Sequence, residues 1–206
     1  SWIPGAHSCP AVEDSRSDEE LMLAFREGES QAFEPLVTRH RRGLFKFLLR
    51  SVQNRSRAEE LLQEVFLRVV RSRARYQQTA KFTTWVYTIA RNLCVDESRR
   101  QKFRRTVSLD ASRGRGDREG GVSMLDKTAA DQVGTDDAAE GPRIQKRVAD
   151  AVARLPDDQR EVFLMRQIGG LSFKQIGRAV GAPENTVKSR MRYALEKLRN
   201  DLADMR

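Results

Sequence analysis

The chain has 206 residues, of which 39% are hydrophobic and 33% charged, with a net charge of +9. Those values suit one large or two small soluble helical domains and point to a polyanionic partner, either nucleic acid or an acidic membrane surface. They exclude a disulfide framework, because the cysteines are Cys9 and Cys94 alone, and a zinc site, because His7 and His40 have no partners at ligand spacing. No apolar run approaches the roughly 20 residues of a membrane span. Residues Ser1 to Pro10 lack the plan of a signal peptide, and reduced thiols in a soluble chain lead to the expectation of a cytoplasmic protein. No cofactor, metal or catalytic residue is expected.

Residues 1–16 are polar and aperiodic and are expected to form a disordered tail. Ser17, with Glu20 three positions on, predicts a capping box for a short helix carrying Leu21, Met22 and Phe25, which Gly28 ends. Ser30 is a candidate cap for a second helix with Phe33, Leu36, Val37, Leu44, Phe45 and Leu48 inward. Pro35 falls just inside that helix and is expected to cost a backbone hydrogen bond, delaying its start or bending it. From about Ala58 to Ala74, Leu61, Leu62, Val65, Phe66, Val69 and Val70 recur at helical spacing. The opposite face carries Glu59, Glu60, Gln63, Glu64, Arg68 and Arg71, a pattern that plain solvation would also produce.

The segment 81–105 is the informative one. Trp85, Val86, Ile89, Leu93 and Cys94 make a core stripe, and Arg91, Asn92, Asp96, Arg99 and Arg100 lie off it. Phe82, Trp85 and Tyr87 cluster behind a polar loop that holds Gln77 and Gln78. Cations interleaved with aromatics suit single-stranded nucleic acid, where cations track phosphates and rings hold unstacked bases. Phe82 and Trp85 would equally serve as core residues.

Residues 104–142 are rich in Gly, Asp, Ser and Arg and poor in large apolar residues. Such a stretch cannot bury enough surface to offset its ordering entropy, so it reads as a flexible linker. Helical period returns at residues 143–206. Ile144, Val148, Ala151, Val152 and Leu155 share a face, and Pro156 suits the first turn of the next helix, which carries Val162, Phe163, Met165 and Ile168. Ser172 and Gln175 predict a second capping box, with Phe173, Ile176, Ala179 and Val180 buried and Gly181 supplying a left-handed end. Pro183 then starts a longer helix whose inward set is Val187, Met191, Ala194, Leu195 and Leu198. A short helix, a glycine turn and a longer helix predict a helix-turn-helix. The outer side of the second helix carries Asn185, Lys188, Ser189 and Arg192, flanked by Arg190 and Tyr193. Amide, hydroxyl and cationic groups in that mix suit base edges and phosphates of duplex DNA.

The fold class expected is therefore all-α, two small helical domains joined by a linker. A stand-alone helix-turn-helix regulator would show a ligand pocket pattern in its first domain, where the Trp85-Tyr87-Arg91-Asn92 segment stands instead. A nuclease would need carboxylates gathered around metal ions, and Asp136, Asp137 and Glu140 lie in the linker with no scaffold.

From about Asp18 onward the chain resembles the extracytoplasmic-function (ECF) sigma factors. LPDDQREVFLMRQIGGLSFKQIGRAVGAPENTVKSRMRYALEKLR resembles region 4 of that family nearly end to end, AEELLQEVFLRVVR resembles the region 2 helix that docks on polymerase, and FTTWVYTIARNLCVDESRR resembles the segment that opens and reads the −10 element. The resemblance implies region 2 over residues 17–103 and a region 4 helix-turn-helix over 143–206. It implies core RNA polymerase as partner for Glu60, Gln63, Glu64 and Arg68. It places Gln77, Gln78, Phe82, Trp85, Arg91, Asn92, Asp96, Arg99 and Arg100 at the single-stranded −10 element. Asn185, Thr186, Lys188, Ser189, Arg190 and Arg192 would lie at the −35 duplex. An anti-sigma protein that masks both DNA surfaces is a further implied partner.

Overall fold

In the computed structural model, residues 14–113 and 140–203 are described, and every regular element among them is helical. Helix α1 spans Asp18–Arg26, α2 Phe33–Val52, α3 Arg55–Ser72 and α4 Phe82–Arg113. After the residues outside the description come α5 over Glu140–Ala153, α6 over Asp157–Gln167, α7 over Phe173–Val180 and α8 over Glu184–Asp201. Most of the tail and residues 114–139 of the expected linker lie outside the described residues.

The start of α1 follows from its side chains. Ser17 Oγ accepts from the Glu20 backbone N–H, and the Glu20 carboxylate accepts from the Ser17 N–H at 2.7 Å, closing the capping box. Asp14 and Arg16, in the segment expected to be disordered, are held in place: Arg16 pairs with Asp14 at 2.7 Å and with Glu29 at 2.8 Å. Ser30 does not cap α2. It opens a 3-10 turn over Ser30–Ala32, and α2 begins at Phe33 without a side-chain cap. Pro35 consequently sits in the first turn of α2, where the N–H it lacks would have had no intrahelical partner. The expected hydrogen-bond cost does not arise. Asn54 caps α3, its side chain accepting from the Arg57 N–H at 2.8 Å.

Leu36, Leu44, Phe47 and Leu48 of α2 pack with Leu61, Val65 and Val69 of α3 and with Phe82, Val86, Tyr87, Ala90 and Leu93 of α4. Phe47 was absent from the expected inward set, yet it is 1% exposed and stacks edge-on against Tyr87 at 5.4 Å. α4 continues through position 104 and is described as far as Arg113.

In the second unit, Ser172 and Gln175 close their capping box, and Gly181 ends α7 at φ +70°. Gly177 lets α7 approach the start of α8: a Cβ there would stand 2.7 Å from the Ala182 carbonyl oxygen. Val187, Met191, Ala194 and Leu198 bury the inner face of α8 against Val162, Met165 and Ile176. Leu195, expected inward, is 44% exposed, and so are Ile144 and Val148 in large part, on the half of α5 that lies beyond the core.

The two units touch. Arg91 of α4 meets Glu161 of α6 at 2.9 Å, and Gly169, in the turn between α6 and α7, lies against the Tyr87 ring. Among the described residues no helix is long and apolar enough to cross a membrane.

Candidate nucleic-acid interfaces

The first candidate surface is the outer side of α4 with the loop before it. Gln77, Gln78, Asn92, Arg99 and Arg100 are exposed, and Asp96 is half-buried. Phe82 is in the core at 1% exposure. Its N–H donates to the Glu19 carboxylate at 2.7 Å, which seats the start of α4 on α1. Trp85 is half-buried and packs on Tyr76 and Phe82, with ring centroids at 5.1 and 5.9 Å. The aromatic cluster thus shapes the base of the Gln77–Gln78 loop, while the polar side chains stand outward. Arg91 is the exception among them, because its guanidinium is taken up by Glu161.

Behind this surface lies a buried charge that sequence reasoning missed. Glu97 is 6% exposed on the inner side of α4 and accepts from Arg57 of α3 at 2.7 Å and from Gln101 at 3.2 Å. Burial opposes its ionisation, but the Arg57 and Gln101 hydrogen bonds outweigh that and hold its carboxyl below the ordinary range. The position was visible in principle: Val86, Ala90, Leu93 and Glu97 recur at helical spacing, so a carboxylate stands on the core stripe. Its partner, 40 positions away, was not visible. Cys94, half-buried near Ser51, has its thiol pushed up to about 12 by burial, as suits a small hydrophobe rather than a reactive thiol.

The second surface is α8. Asn185, Thr186, Lys188, Ser189 and Arg192 are all exposed, opposite the buried Val187–Met191–Ala194–Leu198 stripe. Ser189 Oγ donates to the Asn185 carbonyl at 3.0 Å, Lys188 pairs with Glu184 at 2.8 Å, and Arg192 lies over the Tyr193 ring at 4.9 Å. Arg190 is less available: it turns toward α6 and meets Asp158 at 3.1 Å. The N-terminus of α8, with Pro183 as cap residue and no side-chain cap, leaves its first N–H groups open to an anion.

On α3, Glu60, Gln63 and Leu67 are exposed, and Glu64 and Arg68 are half-buried and paired at 3.1 Å. Leu67, at 47% exposure, adds an apolar centre to a charged face. That combination suits protein contact better than solvation. Among the described residues no group of His, Cys, Asp or Glu is arranged to hold a metal ion.

Residues 36–104 match the family model of Sigma-70 region 2, and residues 145–198 that of Sigma-70, region 4. The chain is 34% identical over 184 residues to the RNA polymerase sigma factor CarQ of Myxococcus xanthus, covering 89% of this chain and 97% of that one. It is 30% identical over 180 residues to the ECF RNA polymerase sigma factor SigW of Bacillus subtilis, covering 87% and 94%. Among solved structures, CnrH in complex with the cytosolic domain of CnrY shares the fold with a TM-score of 0.65 at 19% identity, over 92% of this chain and 99% of that one. The sigma factor RpoE in complex with the anti-sigma factor NepR, from Bartonella quintana, does so with a TM-score of 0.60 at 20% identity, over 84% and 98%.

Proposed function

This chain belongs to the ECF RNA polymerase sigma factors, non-enzymatic initiation factors that bind core polymerase and direct it to promoters, and from that premise we propose how its own residues divide the task. The observation that carries the reading is α8. Asn185, Thr186, Lys188, Ser189 and Arg192 stand outward on a helix anchored by a capped, glycine-turned partner, as a major-groove reader requires. We assign these, with Arg190, to the −35 duplex. Gln77, Gln78, Asn92, Asp96, Arg99 and Arg100, with Arg91 once it leaves Glu161, are assigned to the opened −10 strand. Phe82 and Trp85 support that surface from below. Glu60, Gln63, Glu64 and Arg68 are assigned to the polymerase, with Leu67 at their centre.

Two weak DNA contacts on one chain become strong when the polymerase holds them at the spacing of a promoter, because tethering raises the effective concentration of the second. Bases captured as the −10 strand opens shift the duplex toward the open form. The chemistry of RNA synthesis stays with the polymerase. We infer that the chain acts in the cytoplasm with the polymerase. We also propose that an anti-sigma protein restrains it, since both solved structures named above are complexes of that kind or carry a bound cytosolic partner domain.

Run-off transcription with purified core polymerase tests the reading, on promoters recovered by sequencing polymerase-bound DNA. Initiation at those promoters is expected only with the chain present. Alanine at Lys188 and Arg192 is expected to abolish −35-dependent starts. No initiation with the intact chain would overturn it.

A further inference from the structure

The loop assigned to the −10 strand is pinned at both ends by α1. Gln77, Gln78 and Thr79 are exposed, but the residues that bracket the loop, Tyr76 and Phe82, are 3% and 1% exposed, with ring centroids 6.5 Å apart. The loop thus leaves the core and returns to it across a narrow gap. Within it the Thr79 N–H donates to the Gln77 carbonyl at 2.8 Å, a tight three-residue turn with Gln78 at its apex.

The backbone groups at the two ends of the loop go to α1. At the entry, Arg26 Nη1 donates to the Tyr76 carbonyl at 3.1 Å. The rest of that guanidinium is committed to Glu27, which accepts from Nε at 3.0 Å and from Nη2 at 2.8 Å and so aims Nη1 at the loop. At the exit, the Phe82 N–H donates to Glu19 Oε1 at 2.7 Å. That N–H is among those at the start of α4 with no intrahelical partner, and Lys81, which precedes it, carries no side-chain acceptor. A carboxylate from α1 therefore caps α4, at the positive end of its dipole. Glu19 and Arg26 stand two helical turns apart on α1, so a single rigid element sets both ends of the loop. α1 is itself fixed without the loop. Leu21, Met22 and Phe25 are buried, and Asp18 meets Arg39 at 2.8 Å and His40 at 2.6 Å, both from α2.

We propose that α1 is the positioning frame of the −10 loop: Arg26 and Glu19 hold its two ends by the backbone, so that Gln77 and Gln78 meet the opened base in one set geometry. The proposal rests on the assignment of Gln77 and Gln78 to the −10 strand. Glu19 and Arg26 are positioning residues, acting through the loop. A loop that orders only as it captures a base loses conformational entropy at that moment, and a loop fixed beforehand does not. Because both anchors take backbone groups, the loop side chains can change, and with them the base that is read, while the frame stays intact.

The test uses the full chain with core polymerase, on the promoter recovered from polymerase-bound DNA and on copies with each −10 base substituted. The readout is discrimination, the ratio of run-off from the native to that from the substituted −10 element. Arg26→Ala and Glu19→Ala are each expected to lower the ratio about 10-fold, the scale of one lost hydrogen bond to a charged group. The loop variant, Gln77→Ala with Gln78→Ala, is expected to lower it at least as far. Glu19→Gln, whose amide oxygen still accepts from the Phe82 N–H, is expected to retain most of the native ratio. Adding Glu19→Ala or Arg26→Ala to the loop variant is expected to reduce run-off no further, whereas a merely structural role would reduce it by the same factor again. Thermal melts identify any variant that unfolds; Arg26 is exposed at the end of α1, so Arg26→Ala carries the test if Glu19→Ala does not fold. Native discrimination in the folded Arg26→Ala chain overturns the proposal, and so does a further loss when either alanine is added to the loop variant. If the loop variant itself keeps native discrimination, the −10 assignment of the loop fails, and the frame falls with it.

Discussion

Arg57 and Glu97 join α3 to α4 through a 2.7 Å ion pair, so the helix assigned to polymerase and the helix assigned to the −10 strand share one buried charge. Glu97 is the more buried partner, at 8% side-chain exposure against 30% for Arg57. Arg57 also pairs with Glu60, which lies on the proposed polymerase face. The pair therefore fixes the relative register of the two working surfaces.

Removing one partner should cost more than removing both. Glu97→Ala would leave Arg57 facing the core, where its Nε already finds no acceptor among the described residues. The expected loss is about 2–3 kcal/mol, below that for a fully buried pair because Arg57 is partly solvated and keeps Glu60. The double variant Arg57→Met, Glu97→Leu should lie within about 1 kcal/mol of the native chain. Urea unfolding of the four proteins in a double-mutant cycle checks this. Equal losses for single and double variants would show that Glu97 acts without Arg57.

The glycine at position 177 should prove intolerant. A methyl group there meets the Ala182 backbone oxygen at 2.7 Å, and backbone cannot swing aside as a flexible side chain can. Gly177→Ala is expected to destabilise the second unit by about 1–3 kcal/mol, the range for overpacking, and to weaken −35 binding by displacing α8 from α7. Thermal melts with duplex binding on the same sample test both halves. A stable variant with native binding would mean that α7 and α8 can part freely.

Alkaline pH should loosen the first unit. Burial pushes Tyr76 and Tyr87 from 10.0 up to about 12, with Glu19 and Asp18 adding to the effect at Tyr76, and it pushes Cys94 from 9.0 to about 12. The unfolded chain gives up these protons first, so between pH 9 and 12 the folded state binds more protons than the unfolded one. Stability therefore falls as pH rises through that window and is fully present below it. Urea midpoints at pH 8 and pH 11 measure the drop. Tyr87→Phe removes one of the groups and should make the drop smaller; an identical drop would place the alkaline sensitivity elsewhere.

Local chemistry was legible in the sequence wherever it depended on neighbours within one turn. Ser17 with Glu20 and Ser172 with Gln175 announced their capping boxes, and Gly181 its left-handed end, because each is a contact over three or four positions. The outward set on α8 was legible for the same reason. Phe47 was missed because a long helix packed by both α3 and α4 buries a wider arc than a single stripe. Leu195 errs in the opposite sense: with Phe173, Lys188 and Arg192 it lines a shallow open groove rather than a core. Glu97 and Glu161 draw their meaning from Arg57 and Arg91, which lie 40 and 70 positions away, and no periodicity reports such a pairing.

Lys188 and Arg190 look alike in sequence, and the structure separates them. Among the described residues Lys188 pairs with Glu184 of its own helix, an exposed contact worth about 0.3–0.5 kcal/mol. Arg190 reaches from α8 to Asp158 in the first turn of α6, with 28% of its side chain exposed, and so links two helices. Alanine at Lys188 should therefore leave stability within about 0.5 kcal/mol of native and reduce the slope of log affinity against log salt by roughly one, the signature of one lost phosphate contact. Alanine at Arg190 should reduce stability by about 1 kcal/mol as well as affinity, because it also strips Asp158 of its partner. Duplex titrations at several salt concentrations, alongside denaturation of the same variants, distinguish the two. If Arg190→Ala changes affinity alone, the Asp158 contact carries no stability, and Arg190 is as free to read DNA as its neighbour.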